Sequence, residues 1–166
     1  GHQEIVYTNH SNDTLHKVYY HLFNNAFQPG SEMDARLQSI LDPDKRMVRT
    51  FKKEGKEQKE SRISTLKPTE IGYINIADFK QDGVAAKTKV VGTILEVTLV
   101  NPILPKQKTT FSLDFEGQVP LQIRRSGRNN DEGIALSMSQ WYPKLAEFDF
   151  EGWHADPYIA REFHGV

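Results

Sequence analysis

Alternation with a period of two runs through most of this chain and restricts its fold more than any other property. In "TTFSLDFEGQVP", Phe111, Leu113 and Phe115 fall on one side and Ser112, Asp114 and Glu116 on the other. Successive side chains of an extended strand point to opposite faces, so the pattern predicts a strand with one buried and one wet side. "KVYYHLF" sets Val18, Tyr20 and Leu22 against Tyr19, His21 and Phe23, both sets apolar enough for a central strand. "IVYTN" reads as its hairpin partner across the turn "HSNDT". Ile71, Tyr73 and Asn75 alternate with Gly72, Ile74 and Ile76, and Asp82-Gly83 is a tight-turn pair. Lys89 to Val100 is a long β-branched run, with Val91, Thr93, Leu95, Val97 and Leu99 on one face and Pro102 and Pro105 closing it. "LQIRRSG" reads as a short continuation, "SGRNNDEG" as a polar loop, and "GIALSMSQWYP" as a last strand ending at Pro143.

Two segments break the alternation before the chain's end. In "GSEMDARLQSIL", Met33, Leu37, Ile40 and Leu41 recur at helical spacing, Ser31 is placed to cap, and Glu32 and Asp34 sit where the helix dipole favours acids. A short helix closed by Pro43 follows from this. Lys45 to Arg62 holds eight basic and three acidic residues with little apolar pattern. Its mixed signs favour a solvated loop over a basic patch for nucleic acid. The sum is a mainly β fold, an antiparallel β-sandwich or curved saddle-like sheet with one short helix, forming one domain over residues 1–166.

The bulk numbers remove several function classes. With no cysteine, a disulfide scaffold, thiol catalysis and cysteine-ligated zinc are excluded. A net charge of −1 offers no overall field for nucleic acid. No apolar run is long enough to make a membrane-spanning helix. The sequence contains no HExxH, no G-x-S-x-G, no P-loop and no dinucleotide fingerprint.

What remains is concentrated in "SMSQWYPKLAEFDFEGWHADPYIAREFHGV", which holds both tryptophans, seven of the seventeen aromatic residues and two of the six histidines. Alternation stops here and polar and aromatic side chains crowd together, as in a surface loop. His154 and Asp156 form a close pair by spacing, and His164 follows ten residues after His154. A zinc site needs three or four ligands, so a hydrogen-bonding histidine is favoured over a complete metal site. Glu147, Asp149, Glu151 and Asp156 offer carboxylate pairs for glycoside chemistry, as any acidic loop does. Trp141 reads as a core plug at a strand end, and Trp153 divides evenly between packing and partner contact.

"NNAFQPGSEMD", "LKPTEIGYI" and "SQWYPKLAEFDFEGWHADPY" together resemble the N-terminal domain of zinc metallopeptidases of the aminopeptidase N (gluzincin) family, most closely the large Bacteroidetes-type members. The resemblance spans roughly Ile5 to Val166. It implies a curved β saddle that carries no zinc and no catalytic residue of its own. A separate catalytic domain would hold the ion through HExxH and a later glutamate. A loop of the N-terminal domain would contact the amine and first side chain of a peptide substrate. Gln140 matches the glutamine of that loop, with Trp141 and Tyr142 beside it in the pocket wall. Tyr142 stands where many members carry a carboxylate that helps bind the amine, a departure from strict aminopeptidase specificity. Trp153, His154, Asp156 and Tyr158 would shape or brace the loop. The resemblance further implies saddle strands beginning near "EFHGV" and the parent's catalytic domain as partner; the compartment stays open, with a periplasmic or extracellular setting favoured, and the net charge favours no nucleic acid partner. The residues alone leave one alternative open: a self-sufficient carbohydrate- or peptide-binding β-sandwich that stacks its ligand on Trp141, Tyr142 and Trp153.

Overall fold

Alternating segments become the strands of two facing antiparallel sheets. The computed structural model describes residues 1–41, 43–124 and 126–159. Along the chain the strands are β1 (His2–Thr8), β2 (Leu15–His21), β3 (Val48–Lys53), β4 (Lys56–Ser61), β5 (Tyr73–Gln81), β6 (Val84–Ala85) and β7 (Lys87–Val91). There follow β8 (Ile94–Ile103), β9 (Lys108–Gln118), β10 (Gly127–Arg128), β11 (Leu136–Ser137), β12 (Lys144–Leu145), β13 (Phe148–Asp149) and β14 (Gly152–Trp153). One sheet has the order β1-β9-β5-β6 and the other β12-β2-β8-β7, with every pairing antiparallel. Between them Val18, Tyr20, Leu95, Val97 and Ile103 of the second sheet meet Ile74, Phe79, Phe111 and Leu113 of the first. The fold is therefore mainly β and sandwich-like, and the inward set of β9 is the one its alternation predicts. No helix among the described residues is long and apolar enough to cross a membrane.

The predicted hairpin of the first two strands does not form. β1 pairs with β9 in one sheet and β2 with β8 in the other. The segment between them is a corner organised by Asn9, which is fully buried. Its Nδ2 donates to the carbonyls of Asp13 (2.7 Å) and Ile103 (3.0 Å), and its Oδ1 accepts from the Ser11 amide (3.1 Å) and hydroxyl (2.7 Å). Its backbone amide donates to Gln107 O at 3.0 Å. A buried side chain that satisfies this many groups fixes the chain's direction across the sandwich.

The helix α1 (Glu32–Ser39) starts as expected, with the Asp34 amide donating to Ser31 Oγ. It ends before Pro43, and Leu41 is left exposed instead of joining the buried Met33 and Leu37. Together with Phe27, Met47, Val48, Ile63 and Ile123 these two build a second, smaller core. Lys45 to Arg62, expected to be a loop, is instead the β3–β4 hairpin standing on that core. Glu54 and Gly55 both take positive φ (52° and 76°), as a two-residue type I′ turn requires. Arg49 faces Glu60 and Lys52 faces Glu57 across the ladder, so its mixed charges serve as cross-strand pairs. Asp82 and Gly83 repeat the turn geometry at φ 48° and 81°.

Two further expectations shift. The β-branched run from Lys89 to Val100 is cut at Gly92 (φ 56°), where Val91 pairs with Ile94 across a turn. Val91 is thus exposed on an edge strand, whereas Leu95 and Val97 are buried. "GIALSMSQWYP" keeps only Leu136 and Ser137 in a ladder, against Gly127 and Arg128. The next residues leave the extended region, with Gln140 at φ 60°.

Candidate functional site

The segment after β11 crosses from one sheet to the other. Trp141 rests its ring 6.0 Å from that of Phe115 on β9, in the first sheet. Pro143 O accepts from Gln3 Nε2 of β1 at 3.0 Å. Lys144 and Leu145 then pair with His21 and Tyr20 of β2, in the second sheet, and the Ala146 amide donates to Tyr19 O at 2.8 Å. The loop is thereby a strap over one open side of the sandwich. Gln140 holds left-handed φ, which costs a non-glycine residue and persists only where neighbours enforce it. Trp141 and Tyr142 are 40% and 39% exposed, so Trp141 is no core plug. Their rings meet edge-on at 5.8 Å and 78°.

Trp153 belongs to a different group. Its ring lies 5.0 Å from Phe148 and 5.8 Å from Tyr19, and it packs against the main core. The β13–β14 hairpin therefore uses it for packing. His154 follows directly, with its amide donating to Glu147 O at 2.9 Å and its carbonyl accepting from His21 Nε2 at 3.0 Å. Its own Nε2 stands 2.8 Å from Asp149 Oδ2. The hydrogen bond to Asp149 raises the His154 pKa, and the same bond lowers that of Asp149. The carboxylate partner of His154 is thus Asp149, across the hairpin, and not the sequence neighbour Asp156. Glu151 completes a group of three with them. The sequence signal for that group is the spacing D-x-E-x-x-H in "DFEGWH", where the pairing of Asp149 with Gly152 folds it back on itself.

Tyr158 lies apart from both groups. Its amide donates to Thr93 Oγ1 at 2.9 Å, its hydroxyl accepts from Arg124 Nη1 at 3.1 Å, and its ring meets Phe23 edge-on at 5.5 Å. It borders a cleft with Asn25, Ser31, Met33, Thr93 and Pro157 that offers about 20 Å³, room for one water and no substrate. The named residues therefore divide among the strap (Gln140, Trp141, Tyr142), the hairpin (Trp153, His154) and this brace (Tyr158). Asp156 bears on His21 only through its charge. His164 lies outside the described residues.

His21 joins the hairpin to the sandwich and gives it a pH response. Burial lowers its pKa below the ordinary 6.5, and although the His154 carbonyl and Asp156 favour the proton, Lys144 opposes it. Its Nδ1 is buried without a hydrogen-bond partner, and its ring stacks on Phe23 at 5.0 Å. A folded-state pKa below the unfolded one means that the contribution is complete above the unfolded value and is lost as pH falls through the folded one. The His21 ring resonances are expected to titrate with a midpoint below 6.5. A midpoint at or above that value in an NMR pH series would count against this burial.

No protein-family model, curated protein or solved structure matches the chain.

Proposed function

We propose that this chain is a non-catalytic β-sandwich domain of a zinc aminopeptidase-like protein, in which Gln140, Trp141 and Tyr142 line one wall of a peptide pocket completed by a separate catalytic domain. The family assignment rests on the resemblance of residues given above. The observation that carries the site is the strap itself: two aromatic rings about 40% exposed, beside a glutamine held at φ 60°, on a loop tied to both sheets. Aromatic and amide side chains on a fixed loop recognise a ligand at little entropic cost. HExxH is absent from the sequence, so the residues present do not fit the family's catalytic zinc and none is assigned to it.

The geometry is less suited to a sugar platform. Trp141 and Tyr142 stand at 78° to each other, and Trp153 packs at a tilt against Phe148 of the hairpin and Tyr19 of β2. A flat platform that stacks successive sugar rings needs several exposed rings in one plane.

In the full-length protein, Gln140→Ala is expected to raise KM for an aminoacyl amide about tenfold with kcat little changed, the effect of one lost substrate hydrogen bond. A full-length protein without peptidase activity, or a reading frame that never supplies HExxH, overturns the proposal. A saturable change in tryptophan fluorescence of the isolated chain with one class of sugar would replace it with the binding-module reading.

A further inference from the structure

We infer that the β13–β14 hairpin is a binding site for one divalent first-row transition-metal cation, with Asp149, Glu151 and His154 as its protein ligands. The inference is independent of the pocket-wall reading and concerns a different ion from the catalytic zinc of the family.

One ligand atom from each of the three residues lies within 4.8 Å of the others. Ligands about 2.0–2.2 Å from a common tetrahedral ion stand roughly 3.3–3.6 Å apart, so the exposed Glu151 side chain closes the set by swinging inward by up to about 1–1.5 Å, within the reach of its rotamers. The imidazole separates this group from a plain acidic turn. It supplies a nitrogen donor beside two carboxylates, a mixed set that suits zinc, cobalt or manganese. Calcium and magnesium prefer an all-oxygen shell.

The supporting contacts fix the donors. Asp149 Oδ1 accepts from the Glu151 amide at 2.8 Å, leaving Oδ2 to face His154 Nε2 at 2.8 Å. His154 is held through its backbone on both sides, by Glu147 and by His21. Such preorganisation is what a metal site requires of its surroundings. The Asp149 and His154 side chains keep about a third of their surface (32% and 30%), which leaves an entry path and open positions for water. The two carboxylates also carry the charge that a divalent ion cancels.

A built-in comparison exists at the other end of the chain. His2 Nδ1 and Asp114 Oδ1 stand 2.7 Å apart on the surface, yet no third ligand joins them among the described residues. If any exposed histidine–carboxylate pair sufficed, both places would bind.

The test is calorimetric titration of Zn²⁺ into the chain after chelator treatment, with Mg²⁺ as competitor. One equivalent is expected, insensitive to Mg²⁺. Asp149→Asn keeps an oxygen for the Glu151 amide, and His154→Ala keeps both backbone contacts. Each is expected to weaken binding by more than the roughly 10–100-fold that loss of an outer-shell partner costs, and His2→Ala to leave it unchanged. Co²⁺ should give visible absorption bands that His154→Ala removes. Absence of one-equivalent binding overturns the site, as does binding that survives both hairpin variants or is lost in His2→Ala. Circular dichroism of each variant separates loss of ligand from loss of fold. None of these outcomes bears on the Gln140→Ala kinetics, so the two proposals fail separately.

Discussion

Phe111→Ala is expected to destabilise the fold by about 3–5 kcal/mol, the cost of removing a large ring from a well-packed core. Phe111 is 1% exposed on β9, the strand that lies between β1 and β5. Its ring lies 6.1 Å from Tyr7 on β1 and 5.7 Å from Phe79 on β5. Phe79 in turn meets Tyr20 of the opposite sheet edge-on at 5.6 Å. Deleting Phe111 therefore opens a void where both sheets and three strands of one sheet converge, and the surrounding rings cannot all move in to fill it. Urea denaturation should show a lower midpoint with an unchanged slope. A loss below about 1 kcal/mol would mean that the sheets do not share this core.

Gln81→Leu should be nearly as damaging, at about 3 kcal/mol, although it replaces a polar residue with an apolar one of similar size. Gln81 is 2% exposed at the end of β5. Its Nε2 donates to Asn101 O at 2.9 Å and to Thr109 Oγ1 at 3.3 Å. Its Oε1 accepts from the Val100 and Asn101 amides at 2.8 and 3.1 Å. Val100 and Asn101 belong to β8, so this one amide clamps the two sheets together at their corner. Leucine would leave two backbone donors and a carbonyl without their partner, and burying an unpaired group costs roughly 1–3 kcal/mol. Thermal unfolding measures the loss. A shift within error of the parent would show that water replaces the amide.

Much of this architecture can be read from the sequence, but pairing cannot. The inward face of β9 follows from alternation, because burial on one face imposes a period of two wherever the strand's neighbours lie, whereas both faces of β2 are apolar and alternation alone does not choose between them. The Ser31 cap and the Asp82-Gly83 turn follow for similar reasons, being set by local backbone demands. Which strand adopts which partner depends on contacts remote in sequence. A polar run such as "HSNDT" serves equally for a hairpin turn and for a corner between sheets, and only the burial of Asn9 decides. The β3–β4 hairpin is not legible because its ladder is almost wholly polar and charged, with only Arg49–Glu60 and Lys52–Glu57 opposed in sign, which in sequence resembles a solvated run. At the candidate site the contiguous strap was legible as a unit. The joining of His154 with Asp149 was not, since it needs the reversal at Gly152.

The separation of the first two strands also sets a schedule. Among the described residues β1 finds its only sheet neighbour in β9, with His2 opposite Asp114, 112 residues further along. At a synthesis rate of about 5–20 residues per second, the first strand waits on the order of 10 s before its partner exists. Through that interval its alternating apolar residues, Ile5 and Tyr7 among them, have no sheet to join. A nascent chain of this design is open to chaperones or to wrong partners from its first residues, and its first sheet completes only when β9 arrives.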